Sequence, residues 1–136
     1  MEYVKQWLNR AWKIEEEIQT LQREYADVKD RAMFIAGSID SVKVQTSKTN
    51  TTEAAILKCI EYSEKIKYRI VKQYEIKLEI ENVISKVNDS IHRTLLRKRY
   101  LQYKTWEEIG EELNYTTRNV LYMHGRALQV VKECLH

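Results

Sequence analysis

Thr105-Trp106-Glu107-Glu108-Ile109-Gly110-Glu111-Glu112-Leu113-Asn114-Tyr115-Thr116-Thr117-Arg118-Asn119-Val120-Leu121-Tyr122-Met123-His124-Gly125-Arg126-Ala127-Leu128 predicts a helix, a tight turn and a second helix. Thr105 followed three residues on by Glu108 is a capping box, which starts a helix. Ile109 and Leu113 share one face of that helix, and Gly110 stands where a close approach needs a missing side chain. Asn114 tolerates the left-handed conformation that ends helices. Thr116 can cap the next helix, whose inward face is predicted to be Val120, Met123, Ala127 and Val130 or Val131. Thr117, Arg118, Leu121, Tyr122 and Arg126 are left on its outer face.

The run from Thr105 through Thr116 follows, without a gap, the pattern Thr-x-Glu-Glu-Ile/Val-Gly, a turn and a Thr. In this it resembles region 4 of bacterial sigma factors, which carries a promoter-reading helix-turn-helix. Ala127-Leu128 falls on that family's later Ala-Leu pair, and Leu95-Leu96-Arg97-Lys98-Arg99-Tyr100 resembles its preceding helix. The chain is more similar still to the ArpU-like and RinA-like late-gene activators of phages and prophages. Arg99-Tyr100-Leu101, Thr105-Trp106-Glu107-Glu108-Ile109 and His124-Gly125-Arg126-Ala127-Leu128 carry that likeness. It implies a sequence-specific DNA-binding transcription regulator, acting at promoters with RNA polymerase in the cytoplasm of a bacterial host, at the nucleoid. One departure is that sigma factors usually place Arg-Glu and then Arg-Gln where this chain has Thr117-Arg118 and Leu121-Tyr122. The scaffold carries over; the base preference does not.

On this reading Thr117, Arg118, Leu121 and Tyr122 are the base-reading candidates. Arginine pairs naturally with guanine in the major groove, and leucine with a thymine methyl. Arg99, Lys104, Thr105, Thr116 and Arg126 are the phosphate candidates, as cations or as helix starts with free N–H groups. Charge placement agrees. Residues 1–90 hold fifteen Lys/Arg against fifteen Asp/Glu, while residues 91–136 hold eight against five, so the net +3 lies entirely on the C-terminal segment.

The chain has no proline and three glycines among 136 residues, a composition of long helices and an all-α fold. No apolar run approaches the ~20 residues of a membrane span. His92, His124 and His136 are scattered, and Cys59 and Cys134 lie far apart without neighbouring ligands, so neither a metal site nor a disulfide framework is expected. With no phosphate loop and no nucleophile elbow, neither enzymatic chemistry nor a cofactor is expected.

Upstream, Val4, Trp7, Ala11, Ile14, Ile18, Leu21, Tyr25, Val28, Ala32 and Ile35 alternate spacings of three and four, predicting one helix of about 33 residues. A polar linker at about 37–51 follows. Asn50 with Glu53 offers the start of a second long helix, its stripe read as Ile56, Ile60, Ile66, Ile70, Tyr74, Ile80, Ile84 and Val87, interrupted by Lys67, Gln73 and Lys77. Residues 1–89 are thus expected to form a coiled-coil-like helical hairpin that makes a homodimer or holds a partner. Residues 90–136 are expected to be the helix-turn-helix domain, opened by Asn88-Asp89-Ser90 and a helix from Ile91 to Tyr103. The alternative function is a helical protein-interaction factor, an anti-activator or phage assembly protein, that uses the helix-turn-helix for protein contacts.

Overall fold

The computed structural model describes residues 1–39 and 46–135, with residues 36, 38, 39 and 46–49 described by backbone alone. The described residues are all-helical: α1 (Glu2–Leu8), α2 (Arg10–Ile39), α3 (Thr46–Ile84), α4 (Ser90–Tyr100), α5 (Trp106–Leu113) and α6 (Thr117–Cys134). None of these helices is long and apolar enough to cross a membrane. The chain divides into two compact units, Met1–Ile14 with Lys72–His136, and Glu15–Val71.

The expected first helix is broken at Asn9, which sits at φ −80° and ψ 0°. The Arg10 side chain donates from Nε to the Trp7 carbonyl at 3.0 Å, and its guanidinium lies 4.5 Å from the centre of the Trp7 ring. Asparagine is a poor helix-interior residue, so the break falls where the backbone resists least. The linker is shorter than the composition implies. Helix α2 runs to Ile39 and α3 starts at Thr46, ahead of the Asn50–Glu53 box, while residues 40–45 lie outside the described residues. Once a long helix is nucleated, adding a residue costs little, and no proline stops it here.

In the unit Met1–Ile14 with Lys72–His136, one core joins Val4, Leu8 and Ala11 to Ile80, Ile84 and Val87 and to Leu96, Tyr100, Ala127, Leu128 and Val131. The packing therefore differs from a boundary at residue 89: α1 and the end of α3 share a core with α4 and α6. The reason is that α6 has more apolar surface than α4 and α5 cover. A second cluster of Leu95, Ile109 and Val120, edged by Trp106, Leu113, Tyr115 and Met123, holds α4, α5 and α6 together. Ile91, at the start of α4, is 39% exposed and stands outside this cluster. Helix α4 is capped by Asp89, whose side chain accepts from the Ile91 and His92 N–H groups at 2.9 and 3.0 Å. Those bonds, the one from His92 foremost, hold the Asp89 carboxyl below its ordinary range. It ends three residues earlier than expected, because the chain turns through Tyr103 at φ 61°.

Gln73 reverses its expected role. It is buried, and its amide donates to the Ala11 carbonyl at 3.2 Å and to the Tyr103 hydroxyl at 2.8 Å. An amide whose two N–H donors are both bonded can sit inside, whereas an interruption of the stripe was expected.

In the unit Glu15–Val71, Glu17 pairs with Arg69 at 3.1 Å, and Glu24 accepts a hydrogen bond from Tyr62. Residue numbers fall on α3 as they rise on α2. The α2 seam of Leu21, Tyr25, Val28, Ala32 and Ile35 is half-buried as spaced, with Ile18 fully buried. The α3 stripe differs. Half-buried positions are Thr52, Ala55, Cys59, Tyr62, Ser63, Ile66 and Arg69, while Ile56, Ile60 and Ile70 are exposed. Helix α3 is apolar on two sides, and α2 pairs with one of them.

Candidate nucleic-acid interface

Helix α5 begins at Thr105, whose hydroxyl accepts from the Glu108 N–H at 3.2 Å while the Glu108 carboxylate accepts from the Thr105 N–H at 3.5 Å. It ends at Asn114, in the left-handed region at φ 61° and ψ 42°. The turn returns so tightly that a Cβ on Gly110 would lie 2.7 Å from the Tyr115 carbonyl oxygen. Thr116 then caps α6 by accepting from the Asn119 N–H at 3.1 Å. Ile109 and Val120 are completely buried between the two helices, and Ala127 and Val131 continue the inward face of α6.

The opposite face of α6 is open. Arg118 is exposed and makes no hydrogen bond or ion pair among the described residues. Leu121 is 45% and Tyr122 64% exposed, and Thr117 is half-buried at the helix start. Arg126 is exposed with its guanidinium 5.9 Å from the centre of the Tyr122 ring. Gly125 also lies on this outer face, where a Cβ would meet nothing within 4 Å.

The remaining phosphate candidates already have partners. Arg99 donates from Nη1 to the Lys104 carbonyl at 3.0 Å and stacks 4.2 Å above the Trp106 ring, closing the α4–α5 loop. Lys104 pairs with Glu112, and Lys98 joins it at 3.3 Å. These two ammonium groups, Lys104 first, hold the Glu112 carboxyl below the usual carboxylate range. The hydroxyls of Thr105 and Thr116 are engaged in capping, although their helix starts remain exposed. Upstream, Arg97 clasps Glu81 with bonds of 2.6 to 3.1 Å, and Arg93 donates to the Val87 and Asn88 carbonyls at 2.7 and 2.8 Å. Five of the eight cations behind the C-terminal charge excess thus bind the protein itself. Those three pairings with Glu81 and Glu112 were not legible, because their partners lie 8 to 16 residues away on other helices.

One buried polar pair was missed. The Tyr100 hydroxyl lies 2.6 Å from His124 Nε2, and the Trp106 ring centre is 4.4 Å from the imidazole. Burial drives the His124 pKa down to about 4, helped by the charges of Lys5 and Arg99. Burial likewise pushes the Tyr100 phenol up to about 12. Both groups are neutral near pH 7, and with the hydroxyl donating to Nε2 the imidazole carries its proton on Nδ1. The spacing of Tyr100 from Trp106 and His124 gave no sign of this. Beside it, Asn9, Trp12, Arg99, Tyr103 and Thr105 line an open cavity of about 250 Å³. Trp12 is 44% exposed at its rim. Among the described residues no three His, Cys, Asp or Glu side chains cluster as metal ligands, and Cys59 and Cys134 are free and half-buried.

No family model, no curated protein and no solved structure matches this chain.

Proposed function

We propose that this chain is a sequence-specific DNA-binding transcription regulator of the phage late-gene activator kind. In this reading α5, its turn and α6 form a sigma region 4-like helix-turn-helix, α2 and α3 form a helical hairpin that dimerises, and RNA polymerase is contacted at the promoter. The observation that carries it is the outer face of α6: Arg118, Leu121, Tyr122 and Arg126 stand open on a helix whose inner face is anchored by Val120, Ala127 and Val131. Such a helix fills the major groove, with phosphate contacts fixing its register and side chains on base edges reading sequence. Gly125 in the middle of that face lets a sugar–phosphate backbone come close to the helix. Thr105 and Thr116 offer helix N-termini to phosphate.

A second reading is favoured by one finding: Arg97, Lys98 and Lys104 are already matched with carboxylates. A surface so neutralised suits a protein partner, such as an anti-activator or an assembly factor would hold. Selection of bound duplexes from a random pool, followed by affinity across a salt series, separates the two. For the DNA reading, log affinity falls with log salt by about 0.9 per phosphate contacted. Arg118→Ala then weakens the selected sites by about 1–3 kcal/mol and relaxes one base position. Arg126→Ala weakens all duplexes alike and lowers the salt slope by about one unit. Enrichment of no sequence, with a flat salt response, overturns it.

A further inference from the structure

Helix α3 has an apolar face that nothing among the described residues covers. Leu57, Ile60, Glu64, Lys67, Val71 and Tyr74 follow one another at spacings of three and four, so they form a single seam along the helix. The four apolar members are 53–65% exposed, and Glu64 and Lys67 are 69% and 71% exposed. The face lies opposite the side on which Arg69 and Tyr62 meet α2.

The order of residues in this seam reads as its own complement. Counted outward from the point between residues 65 and 66, Glu64 mirrors Lys67, Ile60 mirrors Val71, and Leu57 mirrors Tyr74. We propose that a second copy of this chain docks here, α3 against α3 in antiparallel orientation, about a two-fold axis at residues 65–66. Each Glu64 then meets the partner's Lys67, while Ile60 packs on Val71 and Leu57 on Tyr74, one layer of each on either side of the axis. A two-fold interface demands this self-complementarity. Ile56 and Ile70, also exposed, broaden the seam along one edge. A parallel pairing in register is disfavoured, since it sets Glu64 against Glu64 and Lys67 against Lys67. Like charges facing each other in a seam select against that orientation. Within one chain Glu64 and Lys67 are only 3.8 Å apart across one helical turn, an exposed and weak pair that is free to exchange partners.

The inference deepens the dimer in the function proposed above by assigning its surface and orientation, and it is tested without DNA. Sedimentation equilibrium of the full chain is expected to show a dimer at micromolar concentration. Lys67→Glu and Glu64→Lys each raise the dimer dissociation constant at least tenfold with an unchanged helical circular dichroism spectrum. The combined charge swap, Glu64→Lys with Lys67→Glu, restores it to within a few-fold. Orientation is read in a Cys59→Ser, Cys134→Ser background. Oxidation is expected to join an Ile60→Cys chain to a Val71→Cys chain in a mixture, and not to join Ile60→Cys to itself. The two Ile60 positions of an antiparallel pair lie about 16 Å apart along the axis, beyond disulfide reach. A monomer at 100 μM, a dimer indifferent to Lys67→Glu, or efficient homotypic joining at position 60 overturns the proposal. A monomer that still selects a DNA site sinks this interface alone. A charge-sensitive dimer that binds no duplex supports the interface and removes the reading of α6.

Discussion

Sixteen apolar residues are buried among those described, and Ile18 alone of them belongs to Glu15–Val71; the other fifteen lie in Met1–Ile14 with Lys72–His136. Both units are helical and both carry regular apolar spacing. They differ in how many neighbours each helix has. Helices α4, α5 and α6 meet one another and α1, so an apolar side chain there is enclosed on several sides. In Glu15–Val71 each helix has one partner, which hides half of each seam residue. Spacing identifies which side chains can face a partner, but the depth of burial depends on how many elements converge.

The largest effect that this contrast predicts is on core truncation. Leu96 is completely buried, so Leu96→Ala is expected to lower the unfolding free energy by about 2–5 kcal/mol, through lost transfer energy and the cavity left behind. Leu21 is half-buried on the α2 seam, and Leu21→Ala is expected to cost less than about 1.5 kcal/mol. Urea unfolding of both variants checks the pair. Equal losses would mean that the α2 seam in Glu15–Val71 is buried more deeply than one partner helix allows.

A pH titration sharpens the same contrast, because the buried Tyr100–His124 pair belongs to the well-packed unit. Unfolded, His124 titrates near 6.5; folded, its pKa is depressed to about 4. Between those values the unfolded chain binds a proton that the folded chain refuses. The stability tied to His124 is therefore fully present above pH 6.5 and falls away as pH drops toward 4, by up to about 3 kcal/mol. Unfolding free energy measured at pH 7, 6, 5 and 4 should show that decline, and His124→Gln should flatten it over this window. Asp89 and Glu112, whose carboxyls are held below their ordinary range, add their losses at lower pH. A variant that keeps the full slope would place the responsible group elsewhere.

Much of the all-helical architecture is legible because it depends on local chemistry. The Thr105–Glu108 box, the left-handed Asn114 and the Thr116 cap each involve residues within a few positions of one another, and each is found as spaced. The α2 seam is legible for the same reason. What is illegible depends on distant partners. Gln73 reads as an interruption until Ala11 and Tyr103 supply its hydrogen bonds. Lys104 and Arg99 read as free cations until Glu112, Trp106 and the loop carbonyl claim them. Ile56 and Ile60 read as core because nothing in α3 says which of its two apolar sides α2 meets. Of the candidate interface, the outer face of α6 was visible from helical spacing alone, whereas the pairing of its neighbouring cations was not.

The smallest expected effect compares two glycines of the α5–α6 module that the same substitution separates. At Gly110 an alanine Cβ would press to within 2.7 Å of a backbone carbonyl, which cannot swing aside as a side-chain end would. Gly110→Ala should therefore destabilise by about 1–3 kcal/mol as the turn shifts. At Gly125, inside α6 and facing open space, alanine adds helix propensity and meets no neighbour. Gly125→Ala should stabilise the fold by about 0.5–1 kcal/mol. If the outer face of α6 lies against DNA, the added methyl should also weaken duplex binding while it stabilises the free protein. Thermal unfolding and duplex affinity measured on one preparation then pull in opposite directions. A Gly125→Ala protein that is more stable and binds its selected duplex as tightly as before would show that the nucleic acid does not approach the helix at this point.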